Sequence, residues 1–344
     1  MMWLKVWQLN RQLKDPNALI RERAVRALSD LKHPKAVASL CQALKDSHED
    51  VKLAAAEALR RNPSQEAVTT LLEVLEAKGT PITVQQSILR TLERIGPEAV
   101  PSIILRLRDQ KCQCQAEMAM LLGKIKSPEA LQPLLEAVDD DEIRVRKEAI
   151  HALGSLGDKQ AVTKLGEMLK DSRWLLRAEA CEALGHIGDP QSVDVLIGAL
   201  QDEKWLVQLS AVKSLGKLAD PRSIPALLEC GKKGHEDVRA MIAEIIGRLG
   251  GPQALSALLE FLRDPETAAS AVNGLRQLLT NNHGQLSVHD LAGLAKLEDV
   301  FEYRYESQDA SELRPSTDIQ QVGKRKLDCG PIRQLASQAL AAKR

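Results

Sequence analysis

Apolar residues recur along most of this chain at steps of three and four, the signature of helices with one buried face. After Asp140, one stripe holds Val145, Ala149, Ala152, Leu153 and Leu156, and a second holds Val162, Leu165, Met168 and Leu169. The spacing is helical, not alternating, and predicts two short helices. Polar and glycine positions mark where each one ends. Gly154 and Gly157 punctuate the first, where a left-handed cap position suits glycine. The next helix opens on Asp-Pro or a relative, as at Ser127-Pro128, Asp189-Pro190, Asp220-Pro221 and Gly251-Pro252, because Pro fits a first helical turn.

This pair of helices repeats. Asp109, Asp140, Asp171 and Asp202 are evenly spaced, since 140−109, 171−140 and 202−171 each give 31. The same step leads on to Lys233 and Asp264 and also joins Asp15 to Asp46, with Gly79 filling an interval that carries a small insertion. Five residues past each anchor comes an apolar residue, and six past it a basic or amide one. The pairs are Ile20-Arg21, Val51-Lys52, Val84-Gln85, Cys114-Gln115, Val145-Arg146, Leu176-Arg177, Val207-Gln208 and Val238-Arg239. A ninth unit after Asp264 slips slightly in register. Small residues (Ala149, Ala180, Ala211, Ala243) recur where helices must come close. A single hairpin cannot bury its own stripe, so stacked neighbours complete the core. The expected class is all-α, an α-solenoid of about nine helical hairpins over residues 1–280, with a small C-terminal capping region over 281–344.

Composition sharpens this picture. Apolar residues make up 44% of the 344 positions but aromatics only 2%. One large core normally leans on aromatic bulk, whereas thin aliphatic layers do not need it. The 47 basic and 47 acidic residues cancel, which argues against a general polyanion binder. The apolar content excludes a disordered chain, and the absence of an 18-residue apolar run excludes a helical membrane span. Lys5, Gln8, Asn10 and Arg11 interrupt any secretory apolar core. Six scattered cysteines without a CxxC pair read as reduced thiols, so a cytoplasmic protein is expected.

The D-x4-VR turn, the A-x-ALG-x-LGDP run and the 31-residue period resemble the HEAT-like repeats named after phycobilisome lyases, over roughly residues 2–280. The resemblance implies that the first helix of each pair lies outside and the VR helix lines the concave face. It also implies a hydrogen-bonded ladder of turn Asp and Arg between units, involving Asp15/Arg21, Asp46/Lys52, Asp140/Arg146 and Asp171/Arg177. That ladder is weaker where Asp202 meets Gln208 and Lys233 meets Arg239.

The ends depart from the repeat. Residues 3–14 fit an outer helix on which Trp3, Leu4 and Trp7 close the first core layer, with an exposed docking surface as the alternative. Towards the other end, Ser287-x-x-Asp290 resembles a capping box. Phe301, Tyr303 and Tyr305 share one face of a short extended segment that suits a cap for the stack. Residues 307–329 read as a polar linker. Residues 331–341 form an amphipathic helix that docks back or meets a partner.

Two enzyme types built on similar repeats are tested by register. A di-iron hydroxylase of the deoxyhypusine hydroxylase type carries His-Glu pairs just after the VR position. Here those positions read Ala116-Glu117, Lys147-Glu148 and Ala178-Glu179, without histidine, and His48-Glu49 and His235-Glu236 fall in the preceding turns. A DNA glycosylase needs a basic concave face. The acidic column Glu117, Glu148 and Glu179 opposes that, although Arg23, Arg26, Arg90, Arg144, Lys147 and Lys213 temper it elsewhere. No phosphate loop or nucleophile constellation is present, and no cofactor or metal is expected.

The groove is the remaining candidate. Positions three, four, seven, eight and eleven past the anchor face it. Trp174, Leu175, Trp205, Leu206 and Leu209 offer apolar anchors, and Glu148, Glu179, Glu182 and Lys213 offer orienting charges around them. His151 is a further concave side chain, either solvated or a proton relay. Large apolar residues ringed by charge describe a protein-binding patch. The opposing reading is that the two tryptophans, 31 apart, pack between turns. The function expected is a non-enzymatic scaffold or adaptor holding a protein segment, with no nucleic acid or membrane partner. The alternative is a bilin lyase or lyase subunit, which would hold a linear tetrapyrrole with basic and aromatic side chains.

Overall fold

A computed structural model describes residues 2–343 except 32, 252, 265, 283, 285, 297–299 and 307–319. It divides into two compact units, Met1–Lys164 and Leu165–Arg344. The first holds α1 (Met2–Gln12), α2 (Ala18–Ser29), α3 (Pro34–Ala43), α4 (Glu49–Arg60), α5 (Gln65–Glu76), α6 (Ile82–Ile95), α7 (Val100–Leu107), α8 (Gln115–Ile125), α9 (Leu131–Ala137) and α10 (Ile143–Leu156). Helix α11 (Ala161–Met168) spans the boundary. The second unit holds α12 (Trp174–Ile187), α13 (Ser192–Ala199), α14 (Trp205–Leu218), α15 (Ile224–Gly231), α16 (Glu236–Leu249), α17 (Ala254–Leu262), α18 (Ala268–Asn282) and α19 (Val288–Leu294). A strand pair, β1 (Val300–Glu306) and β2 (Gln320–Leu327), and α20 (Gly330–Ala342) complete it.

Each unit is two-layered. In the first, α2, α4, α6, α8 and α10 pack side by side, and the odd-numbered helices back them; in the second, α12, α14, α16 and α18 do the same. The packed row is built on one aliphatic position per repeat. Leu28, Leu59, Leu92, Leu122 and Leu153 line the first unit, and Leu184, Leu215 and Ile246 the second, all fully buried. Each such side chain contributes about 1.5–3 kcal/mol of burial. The rows are tightened by glycine. A Cβ on Gly247 of α16 would run into the Gly274 carbonyl oxygen of α18. One on Gly123 of α8 would meet the Ala152 backbone of α10 at 2.6 Å.

Helix starts follow local capping chemistry. Asn17 accepts the Leu19 N–H at 3.0 Å and Ser64 the Ala67 N–H at 3.1 Å, each satisfying an orphan donor. At the other end of α10, Gly157 is the left-handed cap (φ 76°), whereas Gly154 is buried inside the helix; only one of the two expected glycines caps.

The ends differ from expectation in part. Leu4 and Trp7 are 56% and 53% exposed, while Val6 and Leu9 bury α1. The helix therefore turns the other face inward, and these two side chains do not close the core; the Trp3 side chain lies outside the described residues. The Ser287/Asp290 capping box is present and starts α19. β1 pairs antiparallel with β2, with Phe301 opposite Lys326 and Tyr303 opposite Lys324, and the register shifts between Arg304 and Tyr305. Residues 320–327, expected as linker, thus form a strand. Helix α20 docks on α18 and α19 through Ile332, Ala336 and Ala339, all buried.

Candidate protein-binding groove

The anchor aspartates set where the groove-lining helices begin. Asp171 Oδ1 accepts the Arg173 N–H at 2.8 Å, and Asp202 Oδ1 accepts the Lys204 N–H at 2.9 Å. These turns mimic a backbone turn two residues on. The next residue in each case is the first of a helix, and in each case it is tryptophan, Trp174 on α12 and Trp205 on α14.

Neighbouring starts are tied by arginine. Arg177 donates to the Asp202 carboxylate through Nε (2.6 Å) and Nη2 (2.8 Å), and its Nη1 donates to the Asp171 carbonyl at 2.9 Å. Arg21 repeats this with Asp46 (2.8 Å twice) and the Asp15 carbonyl (2.9 Å), and Arg239 pairs with Asp264. The expected ladder exists, but its rungs are offset. Arg21 and Arg177 each take the carboxylate of the following unit and only the carbonyl of their own. Where position six is glutamine, the side chain reaches only a backbone carbonyl: Gln208 Nε2 donates to the Asp202 carbonyl of its own anchor at 2.7 Å, Gln85 to Thr80 at 3.1 Å and Gln115 to Leu107 at 2.8 Å. Both carboxylate and guanidinium side chains are about nine-tenths buried. Burial alone pushes Asp202 up, but the hydrogen bonds from Arg177 and the Lys204 N–H outweigh it and hold the carboxyl below its usual range. Asp46 behaves alike beside Arg21.

Held this way, Trp174, Leu175, Trp205 and Leu206 stand at the starts of adjacent helices and stay 37–39% exposed. Trp205 also stacks on His235, with ring centroids 4.3 Å apart and planes 11° from parallel. One ring face of this tryptophan therefore packs on the next turn while the side chain remains accessible. Leu209 and Glu179 are half-buried further along the same helices. Glu182 accepts from the Ser210 hydroxyl at 3.2 Å, and Lys213 is exposed beyond it. Glu148, half-buried, and His151, exposed, lie on α10 in the first unit. In the acidic column, Glu117 is engaged by Arg144 of the adjacent helix α10.

Glu182 and Lys213 open into a groove of about 430 Å³ over α12, α14, α16 and α18. Its other lining residues include Lys217, Met241, Glu244, Ile245, Arg248 and Gln277. Lys217 and Arg248 were missed in sequence reading, which stopped eleven residues past the anchor. One more helical turn along the same face, at fifteen, reaches both. Among the described residues no three His, Cys, Asp or Glu side chains gather as metal donors, and no helix is long and apolar enough to cross a membrane.

Two layers of repeated helical hairpins define an α-solenoid repeat protein. Models of HEAT repeats match residues 8–93, 39–108, 100–179 and 162–239, and the PBS lyase HEAT-like repeat matches residues 238–264. The chain belongs to the HEAT repeat family. No curated protein matches it. Among solved structures, the karyopherin Kap121p bound to the SUMO protease Ulp1p is 15% identical with a TM-score of 0.62, over 85% of this chain and 40% of that one. Kap95p, in a structure with RanGDP, is 15% identical with a TM-score of 0.54, over 87% of this chain and 49% of that one. This chain thus spans less than half of either karyopherin, and the likeness is one of fold. Human deoxyhypusine hydroxylase is 22% identical over 71% of this chain and 96% of that one, with a TM-score of only 0.33.

Proposed function

We propose that this chain is a non-enzymatic scaffold or adaptor that holds a protein segment along the α12–α16 face of its second unit. The carrying observation is the row of accessible apolar side chains, Trp174, Leu175, Trp205 and Leu206, at consecutive helix starts fixed by the Arg177–Asp202 rung. Buried aromatic anchors supply most of the energy in protein interfaces when a partner covers them. A rigid, pre-set row avoids the ordering cost that weakens flexible surfaces. Glu182 and Lys213 would fix the direction of the bound segment. Solenoids of the same fold are seen holding proteins in the karyopherin structures, which supports the class of partner and not its identity.

The test is affinity capture from cell extract with the tagged full chain, compared with W174A/W205A. The same proteins should be lost from the variant, with its helical melting curve still cooperative. Unchanged capture by a folded variant removes this face as the binding surface.

The alternative of a bilin lyase has the PBS lyase HEAT-like match in its favour, but that match concerns one repeat, and a fold does not fix function. Mixing the purified chain with a bilin and an acceptor protein tests it directly; a visible spectrum that does not change counts against it.

A further inference from the structure

The grooves of the two units differ in how their charges are balanced. In the first unit a groove of about 620 Å³ lies between α2 and α4, lined by Glu22, Arg26, Asp30, Asp50, Glu57 and Arg61 among others. Its carboxylates outnumber its cations, and both cations are paired. Arg26 pairs with Glu22 at 2.6 Å, Arg61 reaches Asp30 at 3.6 Å, and Glu57 takes Arg60. Such a groove has no uncommitted cation to offer an acidic ligand.

The second unit's groove is unlike it. Lys213 and Lys217 lie one helical turn apart on α14 and are exposed, and among the described residues neither has a carboxylate within 4.0 Å. Arg248 of α16 joins them from the next helix. One arm of its guanidinium is committed to the Gly216 carbonyl at 2.7 Å, which fixes its position and leaves the remaining donors for another acceptor. Among the apolar side chains of the same lining, Met241 is half-buried and Ile245 is buried. Ser214 also lines the groove, and its hydroxyl is buried without a hydrogen-bond partner among the described residues.

We propose that this groove takes an acidic peptide segment, in which carboxylates spaced along an extended or helical backbone meet Lys213, Lys217 and Arg248 while an apolar side chain of the segment rests on Met241. This rests on the proposed scaffold function and names the chemistry of the segment. The groove's own carboxylates decide between acidic classes. Glu182 and Glu244 stand in the same lining. A nucleic-acid backbone carries charge at every step and would meet both of them. A peptide has N–H groups to offer these carboxylates and can place its acids only where the cations are. The apolar contact that Met241 offers likewise suits a Leu or Ile side chain better than a sugar-phosphate chain.

The experiment is fluorescence anisotropy of the full chain with three labelled ten-residue peptides that alternate Leu with Glu, Gln or Lys, and with a labelled oligothymidine. The Glu peptide should bind at least ten-fold tighter than the Gln peptide, weaken steeply with added salt, and lose at least ten-fold on K213E/K217E, which should come to prefer the Lys peptide. Equal binding of the Glu and Gln peptides by the wild-type chain overturns the proposal without recourse to any variant. So does binding of oligothymidine in preference to the Glu peptide, or full retention of Glu-peptide binding by K213E/K217E. The two readings fail separately. If W174A/W205A still captures every partner but the Glu peptide still needs the lysines, the tryptophan row falls and the acidic-segment site stands. If capture needs the tryptophans but the peptides show no charge preference, the reverse holds.

Discussion

Replacing Asp202 by alanine removes the rung that aligns the two tryptophan-bearing helix starts. Its carboxylate accepts from Arg177 Nε at 2.6 Å, from Arg177 Nη2 at 2.8 Å and from the Lys204 N–H at 2.9 Å. The Arg177 side chain is only 10% exposed, so alanine leaves a largely desolvated cation. Breaking a fully buried pair costs about 3–5 kcal/mol, and losing an exposed one about 0–1 kcal/mol. Arg177 keeps the Asp171 carbonyl through Nη1, and water can reach the vacated volume, so we expect about 2–3 kcal/mol for D202A, toward the buried limit. D202N keeps an acceptor for the turn N–H and loses the charge, and should cost about half as much. Repeat arrays can unfold in stages, so the assay is native-state hydrogen exchange of the α12 and α14 amides, with a double-mutant cycle on R177A and D202A. The sign of the pH effect follows from the downward shift of Asp202. A carboxyl with a depressed folded pKa lends stability that is present above its unfolded value of about 3.9 and is lost as pH falls through the folded value. Protection of these helices should therefore drop below about pH 4, and D202N should flatten that drop. A D202A cost below about 0.5 kcal/mol, or acid lability unchanged in D202N, would refute the view of this rung as a buried structural pair.

Three further outcomes follow from the same geometry. Gly247→Ala forces a Cβ against the Gly274 carbonyl, a backbone atom that cannot rotate away; overpacking of this kind costs about 1–3 kcal/mol, read as lost exchange protection in α16 and α18. Gln208 stands one unit before Lys233, where other rungs place arginine before aspartate. Q208R with K233D should therefore stabilise by about 1–2 kcal/mol in urea melts, whereas Q208R alone, bringing two cations together, should not. Burial pushes the Cys181 thiol up to about 12 and that of Cys112 to about 11, so both should resist a thiol-reactive disulfide reagent at neutral pH until the chain is unfolded.

The repeat was legible because its signals are local. A 31-residue period, an apolar stripe at helical spacing and a proline at helix starts need no knowledge of distant contacts. The same locality explains what was misread. Gly154 and Gly157 look alike in sequence, yet Gly157 sits past the last helical turn while Gly154 lies within it, buried in the row. On α1, Leu4, Val6, Trp7 and Leu9 are all apolar, and only packing against α2 and α3 decides that Val6 and Leu9 go inward. Bulk favoured the tryptophan, and geometry chose the valine. The ladder was half legible: the residue types were right, but a pairing twenty-five residues away, rather than six, appears only when hairpins stack.

The offset rung also links stability to the groove. Because Arg177 joins its own turn to the next, the starts of α12 and α14 are positioned by one guanidinium, and with them Trp174 and Trp205. At the following step the pattern changes. Gln208 holds only its own turn through the Asp202 carbonyl, and no carboxylate stands at Lys233 to reach back to. At the helix starts that step is bridged instead by the stack of Trp205 on His235, whose Nδ1 accepts the Asp237 N–H and starts α16, and near the helix ends by the hydrogen bond from Arg248 to the Gly216 carbonyl. An aromatic stack is worth about 0.5–1.5 kcal/mol, less than a buried ion pair, so at the helix starts the α14–α16 step is the more weakly fastened one. That step carries Lys213, Lys217 and Arg248. A bound segment spanning it would join α14 to α16 through its own carboxylates, so exchange protection of α16 should rise more than that of α12 when the Glu peptide binds.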